Sequence, residues 1–205
     1  VQDLITADKK DSQGLCFIGK VKLPDFLQQQ LKPKEGNIIE IPSNHSIYST
    51  PRSEDLSSQA EPYAYTEADG ENVGKHQGAH YFTVGQRKGL GVGGKAFPLF
   101  VIATDVITNS IYVGQGDDHP GLHRNTLFID KSETHWIRED LKLVEGKSKE
   151  FDVRIRYRQD LRKGSVQSTP EGIYISFKES ERGITSGQFA AWYQNNELIG
   201  SGVIK

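Results

Sequence analysis

The spacing of apolar residues changes character along the chain. In the last third, Phe151, Val153, Ile155 and Tyr157 alternate with Asp152, Arg154, Arg156 and Arg158, a period of two that predicts a strand with one buried face. Residues 173–177 and 189–193 read as further strands, and Asn195-Asn196 turns the chain into a last strand, Leu198 to Ile204. Short strands at this spacing predict a small antiparallel barrel. Near the other end, Leu23, Leu27 and Leu31 recur every fourth residue behind Pro24, which predicts a helix over 22–31 stopped by Lys32-Pro33. Strands are expected at 38–41, 80–84, 97–105, 111–114 and 126–130, with a hairpin turn at Ile107-Thr108-Asn109-Ser110. From about 42 to 69 the composition shifts to Ser, Pro, Glu, Asp, Asn and Tyr, which predicts an insertion or mobile loop poorly able to bury a core. The fold class that follows is mainly β (α+β): a small mixed central domain, then a C-terminal antiparallel β-barrel.

Composition narrows the setting. The 205 residues suffice for one large or two small domains. No apolar run approaches the length of about 18 residues that a membrane-spanning helix needs, so no membrane partner is expected. The opening Val1-Gln2-Asp3-Leu4 has neither the basic nor the apolar region of a secretory signal. A single cysteine argues against a disulfide-stapled secreted domain and fits a reducing, cytoplasmic location. The net charge of −2 carries no global basic signature, so a nucleic-acid partner would need a local patch. The absence of methionine and the start at Val1 point to a piece of a longer protein.

The strongest such patch runs from 151 to 163, with five cationic side chains against two acidic ones. Alternation would place Arg154, Arg156 and Arg158 on one strand face, a geometry suited to backbone phosphates, with Tyr157 available for stacking. A solvated barrel face fits the same spacing. Gly89-Leu90-Gly91-Val92-Gly93-Gly94 satisfies the dinucleotide-binding spacing, but Pro98 opposes the helix that should follow. A basic-edged loop approaching a phosphate backbone, or a glycine-rich hairpin corner, is the better reading. The pairs His76/His80 and His119/His123 are interrupted by Gly78 and by Pro120-Gly121, and one thiol cannot complete a zinc site, so no metal is expected. Cys16, within Asp11-Ser12-Gln13-Gly14-Leu15-Cys16-Phe17-Ile18-Gly19, is open to two readings: a small buried hydrophobe, or a reactive thiol near Lys9, Lys10 and Lys20.

Three stretches, taken together, settle which reading to prefer. Lys9 to Gly19 is the first. His76-Gln77-Gly78 leading to Tyr81-Phe82-Thr83-Val84-Gly85-Gln86-Arg87-Lys88-Gly89-Leu90-Gly91-Val92-Gly93-Gly94 is the second, and Val113-Gly114-Gln115-Gly116 with His119-Pro120 is the third. In this order and spacing they resemble the tRNA-specific 2-thiouridylases, over nearly the whole chain except about 42–69. Ile155-Arg156-Tyr157-Arg158 and Gly187-Gln188 also fit, although the family pattern has proline where this chain has Ser186.

The resemblance implies a division into 1–22, the end of a catalytic domain carrying the sulfur-bearing cysteine loop; 23–130, a central domain; and 131–205, the barrel. It implies that Cys16 carries sulfur as a persulfide, a good nucleophile towards the activated C2 position of the wobble uridine. A second cysteine, absent from this chain, would release the sulfur by forming a disulfide with Cys16, or hydrogen sulfide would be freed as the attacking species. Arg156, Tyr157 and Gln188 match positions that contact tRNA. The implied partners are tRNA, a sulfur-donor or carrier protein, and an N-terminal PP-loop domain that binds ATP and Mg2+. No Ser-Gly-Gly-x-Asp-Ser motif occurs here, so no cofactor is expected in this chain and the chain alone is expected to be inactive. A non-catalytic tRNA- or RNA-binding β-barrel module is the alternative. Methyl transfer to the same tRNA position lacks a recognisable methyl-donor site.

Overall fold

Ile38 and Ile39 are chain neighbours and both are buried, although adjacent residues on a strand face opposite ways. In the computed structural model, which describes residues 32–156 and 159–205, they lie on a sheet covered on both sides. Strand β1 (Gly36–Glu40) pairs antiparallel with β2 (Glu71–His76). On its other side it runs parallel to β4 (Ser110–Gln115), which forms a hairpin with β3 (Leu99–Asp105). The order is β2-β1-β4-β3. One face carries Ile38, Val101, Ile111 and Val113 under a roof of Ala79, Phe82, Leu90 and Val92. The other carries Ile39, Phe100, Ile102 and Tyr112 under Ile47, Tyr48, Tyr63, Tyr65 and Leu122. Burial on both faces explains why these strands read as continuous apolar runs.

The second roof comes largely from residues 42–69, which corrects the expectation of a mobile loop there. Helix α1 (Ser46–Ser49) is capped by the His45 ring, and α2 (Leu56–Ala60) by the Asp55 carboxylate, which accepts from the Ser58 amide at 2.8 Å. The Tyr48 and Tyr65 hydroxyls are hydrogen-bonded at 2.9 Å, and Tyr63, Tyr65 and Tyr112 lie ring against ring. Tyrosine lets a polar composition bury apolar area, because each ring packs while its oxygen finds a partner or water. Residues 80–84 are likewise not a strand. Ala79–Tyr81 form a single 3-10 turn, and the neighbouring strand is β2.

Strands β5 (His123–Trp136), β6 (Ser148–Arg154), β7 (Arg162–Ser168), β8 (Gly172–Arg182), β9 (Phe189–Gln194) and β10 (Glu197–Ile204) close into an antiparallel barrel. Their order is β10-β5-β8-β7-β6-β9. The expected alternation holds: Phe151, Val153 and Ile155 are each 1% exposed and face a core containing Leu127, Ile175 and Trp192. Trp192 meets Trp136 edge to face at 5.2 Å. Asn195 and Asn196 both have positive φ, as a two-residue hairpin requires. Strand β5 spans both sides of position 131 and pairs with β8 and β10 along its length, so the barrel takes in residues from His123 onward. The anticipated 22–31 helix and the 1–22 segment with Cys16 lie outside the described residues. Among the described residues, no helix is long and apolar enough to cross a membrane.

Candidate nucleic-acid interface

Strand β6 ends at Arg154, and that ending sets the directions of the arginines. The Arg154 guanidinium lies over the Tyr193 ring at 5.9 Å. Arg156, past the strand end, instead donates from Nη2 to the Gly183 carbonyl at 2.9 Å. Among the described residues, Arg154 and Arg156 therefore do not stand side by side in the flat row expected on one strand face. The strand pairing stops at Arg154 although Ile155 still faces the core, and Tyr157 and Arg158 lie outside the described residues. Arg162 and Lys163 face carboxylates, Glu181 at 3.8 Å and Asp152 at 2.8 Å.

Arg156 occupies a narrow position. Gly183 has φ +71°, and a Cβ there would stand 1.9 Å from Nη2 of Arg156. On the central domain, a Cβ on Gly85 (φ +86°) would stand 3.4 Å from the same nitrogen. Arg156 thus lies between bare backbone of the barrel and bare backbone of the glycine-rich loop. The root of that loop is clamped to β3. The Gly85 amide donates to Val101 at 2.7 Å, the Val101 amide to Gln86 at 2.9 Å, and the Gln86 side chain to the Lys88 carbonyl at 2.9 Å. Leu90 is buried and Val92 packs on the core, whereas a Cβ at Gly91, Gly93 or Gly94 would meet nothing within 4 Å. From Gly94 the chain enters β3 and not a helix, so the helix N-terminus that would hold a pyrophosphate is not there. Arg87 and Lys88 are exposed and form no ion pair among the described residues.

Three arginines, Arg124, Arg156 and Arg182, meet at the seam between the two domains. Burial, with a smaller contribution from the like charge of Arg182, pushes the Arg156 pKa down. Its Nε is buried without a hydrogen-bond partner. Arg124, which burial and the charge of Arg52 lower to about 10, donates to the carbonyls of Ala60 at 2.6 Å and Ile184 at 3.0 Å. It ties the end of α2 to the segment after β8. A cavity of about 260 Å³ opens in the same seam, lined by Val84, Thr104, Arg124, Ile184, Thr185 and Ser186.

Gln188 follows a turn in this segment. Its amide donates to Thr185 at 3.3 Å, and Gly187, the third residue of the turn, has φ +83°. This is the type II pattern, whose second position suits proline and here holds Ser186. The Gln188 carbonyl accepts from Ile204 at 2.8 Å, while its side-chain Oε1 is buried with no partner. Gln188 and Arg156 thus reach opposite ends of one short segment, 183–188, and both keep an unsatisfied buried polar atom.

The histidines serve the fold. His76 accepts the Gly78 amide at Nδ1 (2.9 Å) and is buried. His119 accepts the Gly121 amide at Nδ1 (3.2 Å), which leaves Nε2 to donate to Ile41 at 3.0 Å. Burial pushes the pKa of both downward. Among the described residues, no group of three or more His, Cys, Asp or Glu side chains is placed to hold a metal ion. Sequence reasoning assigns nothing to Arg124, Arg182 or Gly183. The one local signal is the Arg-Gly step at the end of a strand.

Comparison with known proteins accounts for both units. Residues 56–115 match the family described as the tRNA methyl transferase PRC-barrel domain, a match that begins inside the polar stretch read as an insertion. Residues 127–204 match the family described as the aminomethyltransferase beta-barrel domain. Sheet and barrel are thus the carboxy-terminal domains of a tRNA-modifying class of proteins. The chain is 56% identical over 208 residues to the tRNA-specific 2-thiouridylase MnmA of Flavobacterium johnsoniae, covering 98% of this chain and 53% of that protein. It is 54% identical over 209 residues to that of Christiangramia forsetii (99% and 53%). With that of Bacillus subtilis it shares 34% over 203 residues (98% and 46%). The chain belongs to the tRNA-specific 2-thiouridylase family and spans about half the length of the curated relatives it matches.

Proposed function

We propose that this chain is the RNA-gripping and sulfur-carrying part of a tRNA 2-thiouridylase, with Arg156, Tyr157 and Gln188 holding tRNA and Cys16 carrying sulfur. The observation that carries the RNA half is Arg156 itself. Its guanidinium lies between Gly85 and Gly183, has no carboxylate partner among the described residues, and adjoins the loop that bears the exposed, unpaired Arg87 and Lys88. Arginine with bare glycine backbone on either side is the chemistry of a phosphate contact, since neither neighbour has a side chain to hold the RNA strand away. Gln188 adds a buried, unsatisfied amide oxygen at the other end of the same segment.

In this reading Cys16, loaded by a sulfur-donor protein, presents its terminal persulfide sulfur to C2 of the wobble uridine. The uridine oxygen leaves as that sulfur bonds. A thiolate outside this chain then attacks the Cys16 Sγ, and the Sγ–S electron pair passes to the transferred sulfur. ATP with Mg2+ supplies the activation of that oxygen. The described residues offer no fit to either, having no helix behind the glycine loop and no metal-holding cluster, so both are assigned to the part of the relatives that this chain does not span. The chain alone is accordingly inactive, and the intact protein works in the cytoplasm.

The test is Cys16→Ser in the full-length protein, with 2-thiouridine formation and tRNA affinity measured side by side. Loss of thiolation with affinity unchanged is the expected result. Thiolation at the normal rate would overturn the catalytic role and leave a tRNA-binding module.

A further inference from the structure

We propose that Arg182 is a second phosphate ligand for RNA, paired with Arg156, and that Asp117 occupies its fork when no RNA is present. This inference rests on the reading of Arg156 as an RNA contact and extends it to a residue that the family resemblance does not single out. Arg182 ends β8 immediately before Gly183, so the backbone that receives Arg156 also carries the second guanidinium. It reaches across to the central domain and lies over the Phe100 ring at 4.6 Å, which fixes the plane of the group.

Nε and Nη2 of Arg182 are buried without a hydrogen bond, as is Nε of Arg156. Among the described residues the single carboxylate offered to Arg182 is Asp117, whose Oδ1 lies 3.1 Å from Nη2 without the alignment of a hydrogen bond. That carboxylate is 72% exposed, against 38% for the arginine side chain. Among the described residues Arg156 has no carboxylate at all. Of two guanidiniums close enough to repel, one thus has a poorly aligned, solvent-washed counter-charge and the other has none among the described residues. Unsatisfied charged donors are costly to keep beside each other, and an anion with several acceptor oxygens removes that cost. A phosphodiester suits the place because a guanidinium fork donates to two of its oxygens at once, and the side now held by the exposed Asp117 is the one from which it would enter. A free polyphosphate presents the same oxygens, so the test must separate the two sources.

The experiment titrates an unmodified tRNA transcript against the full-length protein at several salt concentrations. Arg182→Gln should raise Kd roughly tenfold and reduce the salt slope of log K by about one contact. Asp117→Asn, at an exposed position that does not threaten folding, should lower Kd roughly threefold at low salt by removing the competitor. Thermal melting identifies any Arg182→Gln effect that comes from lost packing on Phe100, since such an effect leaves the salt slope unchanged and overturns the proposal. An Asp117→Asn protein that binds no tighter also overturns it, as does inorganic pyrophosphate displacing the transcript beyond its ionic-strength effect. Arg156→Gln separates the two levels. Unchanged affinity in that variant removes the underlying reading, whereas weakened Arg156→Gln with unaffected Arg182→Gln removes this inference alone.

Discussion

Arg156 and Gly183 are fitted to each other: Nη2 donates to the Gly183 carbonyl at 2.9 Å, and a Cβ on Gly183 would stand 1.9 Å from that nitrogen. The glycine also holds φ +71° and donates its amide to Leu122 at 2.8 Å. Gly183→Ala should therefore act twice. The backbone conformation costs about 1–2 kcal/mol for a residue with a Cβ, and the methyl group drives Arg156 from its place. Chemical denaturation should show the first effect. A tRNA titration should show the second, as a loss of affinity matching that of Arg156→Ala.

Arg124 spans two structural units through the carbonyls of Ala60 and Ile184. Arg124→Met keeps most of the stem but leaves two inward-facing carbonyls without their charged donor. A loss of about 2–3 kcal/mol is expected, read from urea unfolding. Arg124→Lys, with one ammonium in place of a fork, should recover only part of it.

His76 and His119 are buried, and burial holds both pKa values below the ordinary 6.5. As pH falls through about 6.5 the unfolded chain takes up protons before the folded one does. The stability these groups contribute is thus complete above that pH and declines as pH falls towards their lowered folded values. Melting temperature should drop between about pH 7.5 and about pH 5, and His119→Gln should flatten that dependence.

Ser186 occupies the second position of the turn that sets Gln188, and its amide donates no backbone hydrogen bond among the described residues. Proline removes nothing there and restricts the unfolded chain, so Ser186→Pro should stabilise by about 0.4–1 kcal/mol. Equilibrium unfolding checks this. Tighter tRNA binding in the same variant would show that the turn also orders Gln188.

How much of this was legible in the chain depended on where the apolar atoms sit. Strands β6, β9 and β10 show themselves because one barrel face is buried and the other wet, which imposes a period of two. Strand β7, Arg-Lys-Gly-Ser-Val-Gln-Ser, escapes notice because its inward positions are Gly164 and Val166. Gly164 is needed for its missing side chain, since a Cβ would stand 3.0–3.3 Å from Val153, Ile175 and Phe177. The 42–69 stretch misleads for the opposite reason. Its core contribution is made by tyrosines, which a count of polar residues places on the surface. The arginine alternation predicted one strand face for Arg154 and Arg156, but the strand stops at Arg154 and the two guanidiniums turn to Tyr193 and to the Gly183 carbonyl. Arg182 and Gly183 stayed hidden because their meaning arises only when β8 is brought against Arg156 and Phe100.

The clamp of Gly85 and Gln86 on Val101 has a consequence for how this surface can move. Those two residues use the two hydrogen bonds that Val101, on the outer side of β3, would otherwise offer to a foreign strand. Lifting the whole loop would uncover an adhesive sheet margin, which makes such a motion expensive. Adjustment is left to the outermost glycines, which have nothing to collide with. The loop is therefore anchored at its base and has free space at its tip, so a change at the tip need not loosen the sheet that carries it.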